Sequence, residues 1–160
     1  MKKKLNAFTV NTLAQAEVII LEAKTYKIKP ILHFKNYILK GFGSDFILTF
    51  QKILKSRFGN SSFQIFVDCG FDSSLSIRMA SKKIDFIKLR GSLDVLKKVK
   101  DITKKNTVLL NPSFNIVDCR HLKNVNLKFK KLYFRKKNEN RRQSNSVSYT
   151  HLTLPTTSRV

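Results

Sequence analysis

Two tripeptides of the same composition carry most of the chemistry this sequence offers. They are Val67-Asp68-Cys69 and Val117-Asp118-Cys119, the second followed closely by His121. An aspartate can move a proton. A cysteine becomes a nucleophile or metal ligand once its thiol ionises, which takes a nearby cation, metal or helix N-terminus. Cys69 lies just before a predicted helix, and Arg90 ends the next predicted strand. An activated thiol is therefore one reading of Cys69, and a small buried thiol is the other. Cys69, Cys119, His121 and His33 are all zinc-type ligand residues, but no C-x-x-C or H-x-x-x-H spacing joins them. Neither a metal nor another cofactor is expected. Arg90-Gly91-Ser92 opens a predicted helix, where free backbone N–H groups suit an anion; Ser92 also suits a helix N-cap. The candidate catalytic residues are Asp68 and Cys69. The candidate ligand-binding residues are Asn11, His33, Arg90, Gly91, Ser92 and Asn111.

All of these fall where predicted strands end. Short apolar runs at 7–10, 31–34, 63–67, 86–89 and 107–110 read as buried strands. Thr12 with Gln15 three residues on forms a capping box, and Leu13, Ala16, Ile20 and Ala23 recur on one helical face. Gly41-Phe42-Gly43 reads as a flexible loop before a helix that Ser44 or Asp45 can cap, built on Ile47, Phe50, Ile53 or Leu54, and Phe58, and stopped by Gly59. Asp72 or Ser73 suits the cap of one further helix and Ser92 that of another. Strands alternating with helices predict an α/β fold with about five parallel strands joined by right-handed crossovers. The expected order is sequential, curled like part of a (β/α) barrel with helices outside; a doubly wound flavodoxin-like sheet is the alternative. In either, ligands bind at the carboxyl ends of the strands.

The balance of charge is strongly basic: 32 Lys and Arg against 10 Asp and Glu, formally +22. Such a charge ordinarily points to nucleic acid or an anionic surface. Yet 24 of the 32 are lysine, where arginine is the better fork for bases and phosphates. Lysine, asparagine, isoleucine and phenylalanine are all abundant and share A/T-rich codons, so codon bias also accounts for the charge. No window approaches the roughly 18 apolar residues of a transmembrane helix, and no membrane partner is expected. Two cysteines make no disulfide framework, and the start of the chain has no secretory apolar stretch, so a cytoplasmic location is expected.

Taken in order, these motifs resemble the N-terminal half of the class II, metal-dependent fructose-bisphosphate aldolases. Ala7-Phe8-Thr9-Val10-Asn11-Thr12-Leu13-Ala14-Gln15-Ala16 is similar to that family's first strand and helix start, and Lys29-Pro30-Ile31-Leu32 to its second strand. Val67-Asp68-Cys69-Gly70 stands where the family has Leu-Asp-His-Gly, and Leu89-Arg90-Gly91-Ser92 where it has Met-Asp-Gly-Ser. The resemblance covers roughly residues 6–93. It implies an eight-stranded (β/α) barrel with a divalent metal held by histidines. By position Asp68 keeps the family's proton-transfer aspartate, Cys69 replaces its first metal histidine, and Arg90 replaces the aspartate of its fourth strand. The implication is a shortened, degenerate relative without a working metal site.

Three segments are expected: an aldolase-like βα domain at 1–119, a basic extension at 120–142, and a disordered tail at 143–160. Within the tail, Val147-Ser148-Tyr149-Thr150-His151-Leu152-Thr153-Leu154-Pro155-Thr156 resembles a translated sequencing-library adapter, so the chain is expected to be truncated and its end artefactual. The expected function is non-catalytic binding of a small anionic ligand or a protein partner at the strand carboxyl ends. A nucleic-acid-associated basic protein and a lyase with an altered metal site are the alternatives. A homodimer, or residues 120–134 folding over the sheet, is the expected cover for an incomplete barrel. Deleting residues 143–160 should leave the melting temperature unchanged in a thermal melt; a drop of several degrees would show that the tail docks on the domain.

Overall fold

The capping box foreseen at Thr12 starts the first helix of the protein, whose computed structural model describes residues 4–134. The Thr12 hydroxyl accepts from the Gln15 N–H, and the Gln15 side chain accepts from the Thr12 backbone in return. This cap joins β1 (Asn6–Thr9) to α1 (Leu13–Thr25). The chain then alternates through β2 (Ile31–Phe34), α2 (Asn36–Phe42), α3 (Ser44–Phe58), β3 (Gln64–Asp68), α4 (Ser73–Ser81), β4 (Phe86–Lys88), α5 (Leu93–Lys105), β5 (Leu109–Leu110) and β6 (Asn115–Asp118). Asp72 and Ser92 cap α4 and α5 by accepting from Leu75 and Val95 N–H. Gly41 and Phe42 belong to α2, and only Gly43, at φ 81°, breaks the helix, so the expected Gly41-Phe42-Gly43 loop shrinks to one residue. No helix among the described residues is long and apolar enough to cross a membrane.

The sheet order is β5-β4-β3-β2-β1-β6, and every pair is parallel. The sequential order of the first five strands is as expected; β6, on the outer side of β1, was not foreseen. Right-handed crossovers between sequential neighbours put their helices on one face of the sheet. On that face α1 and α3 are joined by the Arg57–Glu17 ion pair, and α3 and α4 by Arg78–Asp45 at 2.9 Å. Phe8, Leu32, Phe34, Ile65, Val67 and Ile87 are completely buried. Strand alternation turns Phe8, Leu32, Ile65, Val67 and Ile87 away from Ala7, Ile31, Phe66 and Phe86, so the sheet has a helix-covered outer face and a separate inner one.

Residues 111–114 link β5 to β6, the two opposite edges of this sheet. A flat sheet would separate those edges by five strand spacings, about 24 Å. The five Cα steps from Leu110 to Asn115 reach about 18 Å at full stretch. The sheet must therefore curl until its edges approach, and the link must run along the concave inner side. Phe114 shows that it does: its ring meets Phe66 at 5.2 Å and Phe86 at 4.9 Å, both edge-on, closing a small apolar cluster with Ala7 and Ile31. A doubly wound sheet would place helices there instead.

From Asn124 onward the chain forms a second unit. Asn124 caps α6 (Val125–Phe129), and the helix widens into a π-helical turn over Lys130–Phe134, with the Phe129 and Tyr133 rings 5.5 Å apart. The remainder of the expected basic extension and the whole expected tail lie outside the described residues.

Replacing Phe114 with alanine should lower the unfolding free energy in urea by about 2–4 kcal/mol, since it empties the concave side of the sheet. Phe42→Ala, at a ring 67% exposed, should stay within about 0.5 kcal/mol of the parent. Equal effects of the two would contradict a plug at Phe114.

Candidate functional site

The carboxyl ends of the strands open into a cleft of about 780 Å³. Parallel register fixes what faces it. One row across the inner face runs Asp118, Thr9, His33, Phe66 and Phe86, and one step further along Asp68 stands beside Lys88. The cleft is lined by His33, Asp68, Lys88 and Arg90 from the strands and the turns after them. Lys35, Asn36 and Tyr37 come from the start of α2, Lys40 from its last turn, and Cys69, Gly70, Phe71 and Asp72 from the β3–α4 turn. Four of these residues are cationic and two are anionic. A smaller cavity of about 470 Å³ lies around Phe66, Lys88, Asn111 and Phe114.

Asp68 is committed to its own turn. Its Oδ1 accepts from Gly70 N–H at 2.9 Å, and its carbonyl accepts from the Asn36 side-chain amide at 3.1 Å. Gly70 sits at φ 60°, and a Cβ there would meet the Asn36 side chain at 3.0 Å, so this position calls for glycine twice over. Arg90 N–H donates to Gly70 O at 2.7 Å, and Cys69 N–H to Lys88 O at 2.9 Å, stitching the turn to the end of β4. Arg90 thus touches the turn through its backbone. The Asp68–Arg90 ion pair expected from their positions does not form; the Asp68 carboxylate accepts from Gly70 instead.

Cys69 is fully buried. Burial, seconded by the charges of Asp68 and Asp72, pushes its thiol up to about 12. At neutral pH this favours a protonated, enclosed SH group, the second of the two readings of Cys69. Cys119 repeats the arrangement one site over. It too is buried, and Asp118 Oδ1 accepts from Arg120 N–H at 3.0 Å as Asp68 does from Gly70. The twin Val-Asp-Cys tripeptides are thus twin strand ends, each with the aspartate accepting from its own turn and the cysteine buried. Among the described residues no three His, Cys, Asp or Glu side chains gather as a metal site. The divalent metal implied by the resemblance does not suit these residues, with a buried thiol where its first histidine would be.

His33 lies on the cleft floor. Thr9 Oγ1 engages its Nδ1 at 2.7 Å, leaving Nε2 as the ring nitrogen available to the cleft. Burial lowers its pKa to about 4, against the pull of Asp68 and with the help of Lys88, Lys35 and Arg120, so the ring is neutral at pH 7.

The other expected ligand residues divide. Asn11 stands behind the cleft, its Oδ1 accepting from the Tyr37 hydroxyl at 2.6 Å. Tyr37 in turn accepts from Arg120 at 3.2 Å, with that guanidinium 5.9 Å from its ring centre. Arg120 grips Asp118 through two of its nitrogens and holds that carboxyl well below the usual range. Ser92 serves as the α5 cap and Gly91 is exposed; neither lines the cleft. Asn111 clamps β5 to β4 by exchanging side-chain bonds with the Leu89 backbone at 2.8 and 3.0 Å. The cations Lys35, Lys40 and Lys88 and the rings of Tyr37 and Phe71 were not foreseen. Lys88 was legible as the residue level with Asp68 on the neighbouring strand; Lys35 and Lys40 required knowing that α2 is a helix.

No family model and no curated protein sequence matches the chain. Among solved structures, the fold is similar to that of a "putative fructose-1,6-biphosphate aldolase" from Coccidioides immitis, at 13% identity and a TM-score of 0.54. The match covers 67% of this chain and 44% of that one, so the chain spans less than half the length of that neighbour. At this identity the likeness establishes the α/β architecture with its parallel sheet.

Because the folded His33 resists protonation, it supports stability fully above its unfolded pKa near 6.5 and loses that contribution as the pH falls toward 4. The loss should total about 3 kcal/mol, measured by urea unfolding between pH 7.5 and pH 4, and His33→Gln should flatten that slope. An unchanged slope in the variant would remove His33 as the cause.

Proposed function

We propose that this is an aldolase-like αβ domain that binds a small anionic ligand, without turnover, at the carboxyl ends of its strands. One observation carries the reading: Lys35, Lys40, Lys88 and Arg90 converge on one concave cleft that holds only two carboxylates, one of them tied into its own turn. Cations gathered in a cleft focus field on an incoming anion far more than the same charges on a convex surface do. The inward row adds neutral donors. The Asn36 amide borders the cleft, and the His33 ring offers either a donor or an acceptor at Nε2, depending on its tautomer. A phosphate or carboxylate group there would exchange hydration for charge-assisted hydrogen bonds.

The non-catalytic part of the reading rests on what the candidate chemical groups are doing. Asp68 accepts hydrogen bonds within its turn, and Cys69 is a buried, protonated thiol. A lyase would need a base or a nucleophile, and both residues are occupied structurally. Exposed Lys97, Lys98, Lys100, Lys104 and Lys105 on α5 favour the second reading, a nucleic-acid-associated surface. A lysine-rich convex helix is also what an ordinary solvated face presents, and the cleft is the more selective feature.

Calorimetric titration with glycerol 3-phosphate at 50 mM salt should show saturable one-to-one binding. Lys88→Met and Arg90→Met keep most of the apolar stem and remove the charge; each should weaken binding about tenfold or more while circular dichroism stays unchanged. No saturable binding, or identical affinity in both variants, would end the anion reading.

A further inference from the structure

The turn that follows β3 holds an apolar ring in water. Phe71 is 77% exposed, in a protein whose other phenylalanines largely build its core. Its exposure is enforced by fixed backbone on both sides. Gly70 is pinned by the Asp68 carboxylate at 2.9 Å and by Arg90 N–H at 2.7 Å, and Asp72 N–H donates to Cys69 O at 3.1 Å. The Asn36 side chain packs against Gly70 from the other side. The turn therefore presents Phe71 at the rim of the cationic cleft instead of letting it fold inward. A second ring, Tyr37, borders the same cleft half exposed, and it is likewise anchored by Asn11 and Arg120.

Rings held exposed beside gathered cations have a chemical counterpart. Aromatic faces stack on planar π-systems, while lysine and arginine take the phosphate. The space of about 780 Å³ falls within the range of about 300–1,000 Å³ that accommodates cofactor-sized molecules, and it is more than a bare oxyanion or a three-carbon phosphate needs. We infer that the ligand of this cleft is a phosphate monoester carrying a planar aromatic ring, a mononucleotide in chemical class, with Phe71 as the stacking platform and Lys88 and Arg90 at its phosphate. This rests on the anion-binding reading above and adds to it the second half of the ligand.

The test compares adenosine 5′-monophosphate, ribose 5-phosphate and adenosine by calorimetry on the full chain at fixed ionic strength. Adenosine 5′-monophosphate should bind at least tenfold more tightly than ribose 5-phosphate, and adenosine should bind more weakly than the monophosphate. Phe71→Ala should bring the monophosphate to within about twofold of ribose 5-phosphate and leave ribose 5-phosphate unchanged. Equal affinity of the two phosphates in the parent protein would overturn the ring inference while leaving the anion site in place. Failure of both to bind would overturn both. A ten-residue single-stranded oligothymidylate binding more than tenfold tighter than the mononucleotide would overturn the small-ligand form in favour of a strand-binding surface. The comparison of ligands on the parent protein decides the matter even if a Phe71 variant does not fold.

Discussion

A link of four residues joins strands at opposite edges of a six-stranded sheet, and the architecture follows from its length. Stretched fully it falls several ångströms short of crossing a flat sheet, so the sheet curls. Curling gives the inner face a concave side, brings Phe114 over Phe66 and Phe86, and leaves the carboxyl ends as the mouth of a bowl. Strand alternation then decides which side chains enter that bowl. Thr9, His33, Asp68, Lys88 and Asp118 all take inward positions, while the cysteine after each strand-ending aspartate is buried. A flat sheet with the same sequence would show the same residues to solvent, with no enclosure to focus their charge.

Within the bowl, the polar groups sort into structural and available ones. Asp68 and Asp118 each accept from their own turn through Oδ1, and Asp118 also pairs with Arg120. Thr9 is fully buried against His33. What remains open to the cleft is mainly cationic, with a neutral imidazole beneath. This distribution is opposite to that of a general acid–base site, where a carboxylate or imidazole has a pKa tuned near working pH. His33 is tuned well below it, by burial first.

Much of the fold was legible because its signals are local. The Thr12–Gln15 box, the Asp72 and Ser92 caps, and five apolar runs each mark an element within a few residues. The elements that were missed lacked such marks. Helix α2 begins after Lys35, which offers no side-chain cap, and β6 mixes Ile116 and Val117 with Asn115 and Asp118. The repeated Val-Asp-Cys was the available sign of β6: what first reads as two chemical groups is one strand-end geometry used twice. At the site, Asp68, Cys69, His33 and Arg90 do meet in one cleft, since strand order places them there. Their roles were not legible. Whether Asp68 pairs with Arg90 or closes on Gly70 is settled by turn geometry, and the ionisation of Cys69 by its burial and the nearby charges of Asp68 and Asp72.

This bowl is proposed to concentrate anions at one place. Anomalous diffraction from crystals soaked in sodium tungstate tests it most directly, because the heavy oxyanion reports its own position. The account predicts a leading peak within hydrogen-bonding reach of Lys88 and Arg90 in the cleft. Peaks confined to the exposed lysines of α5, with none in the cleft, would contradict it.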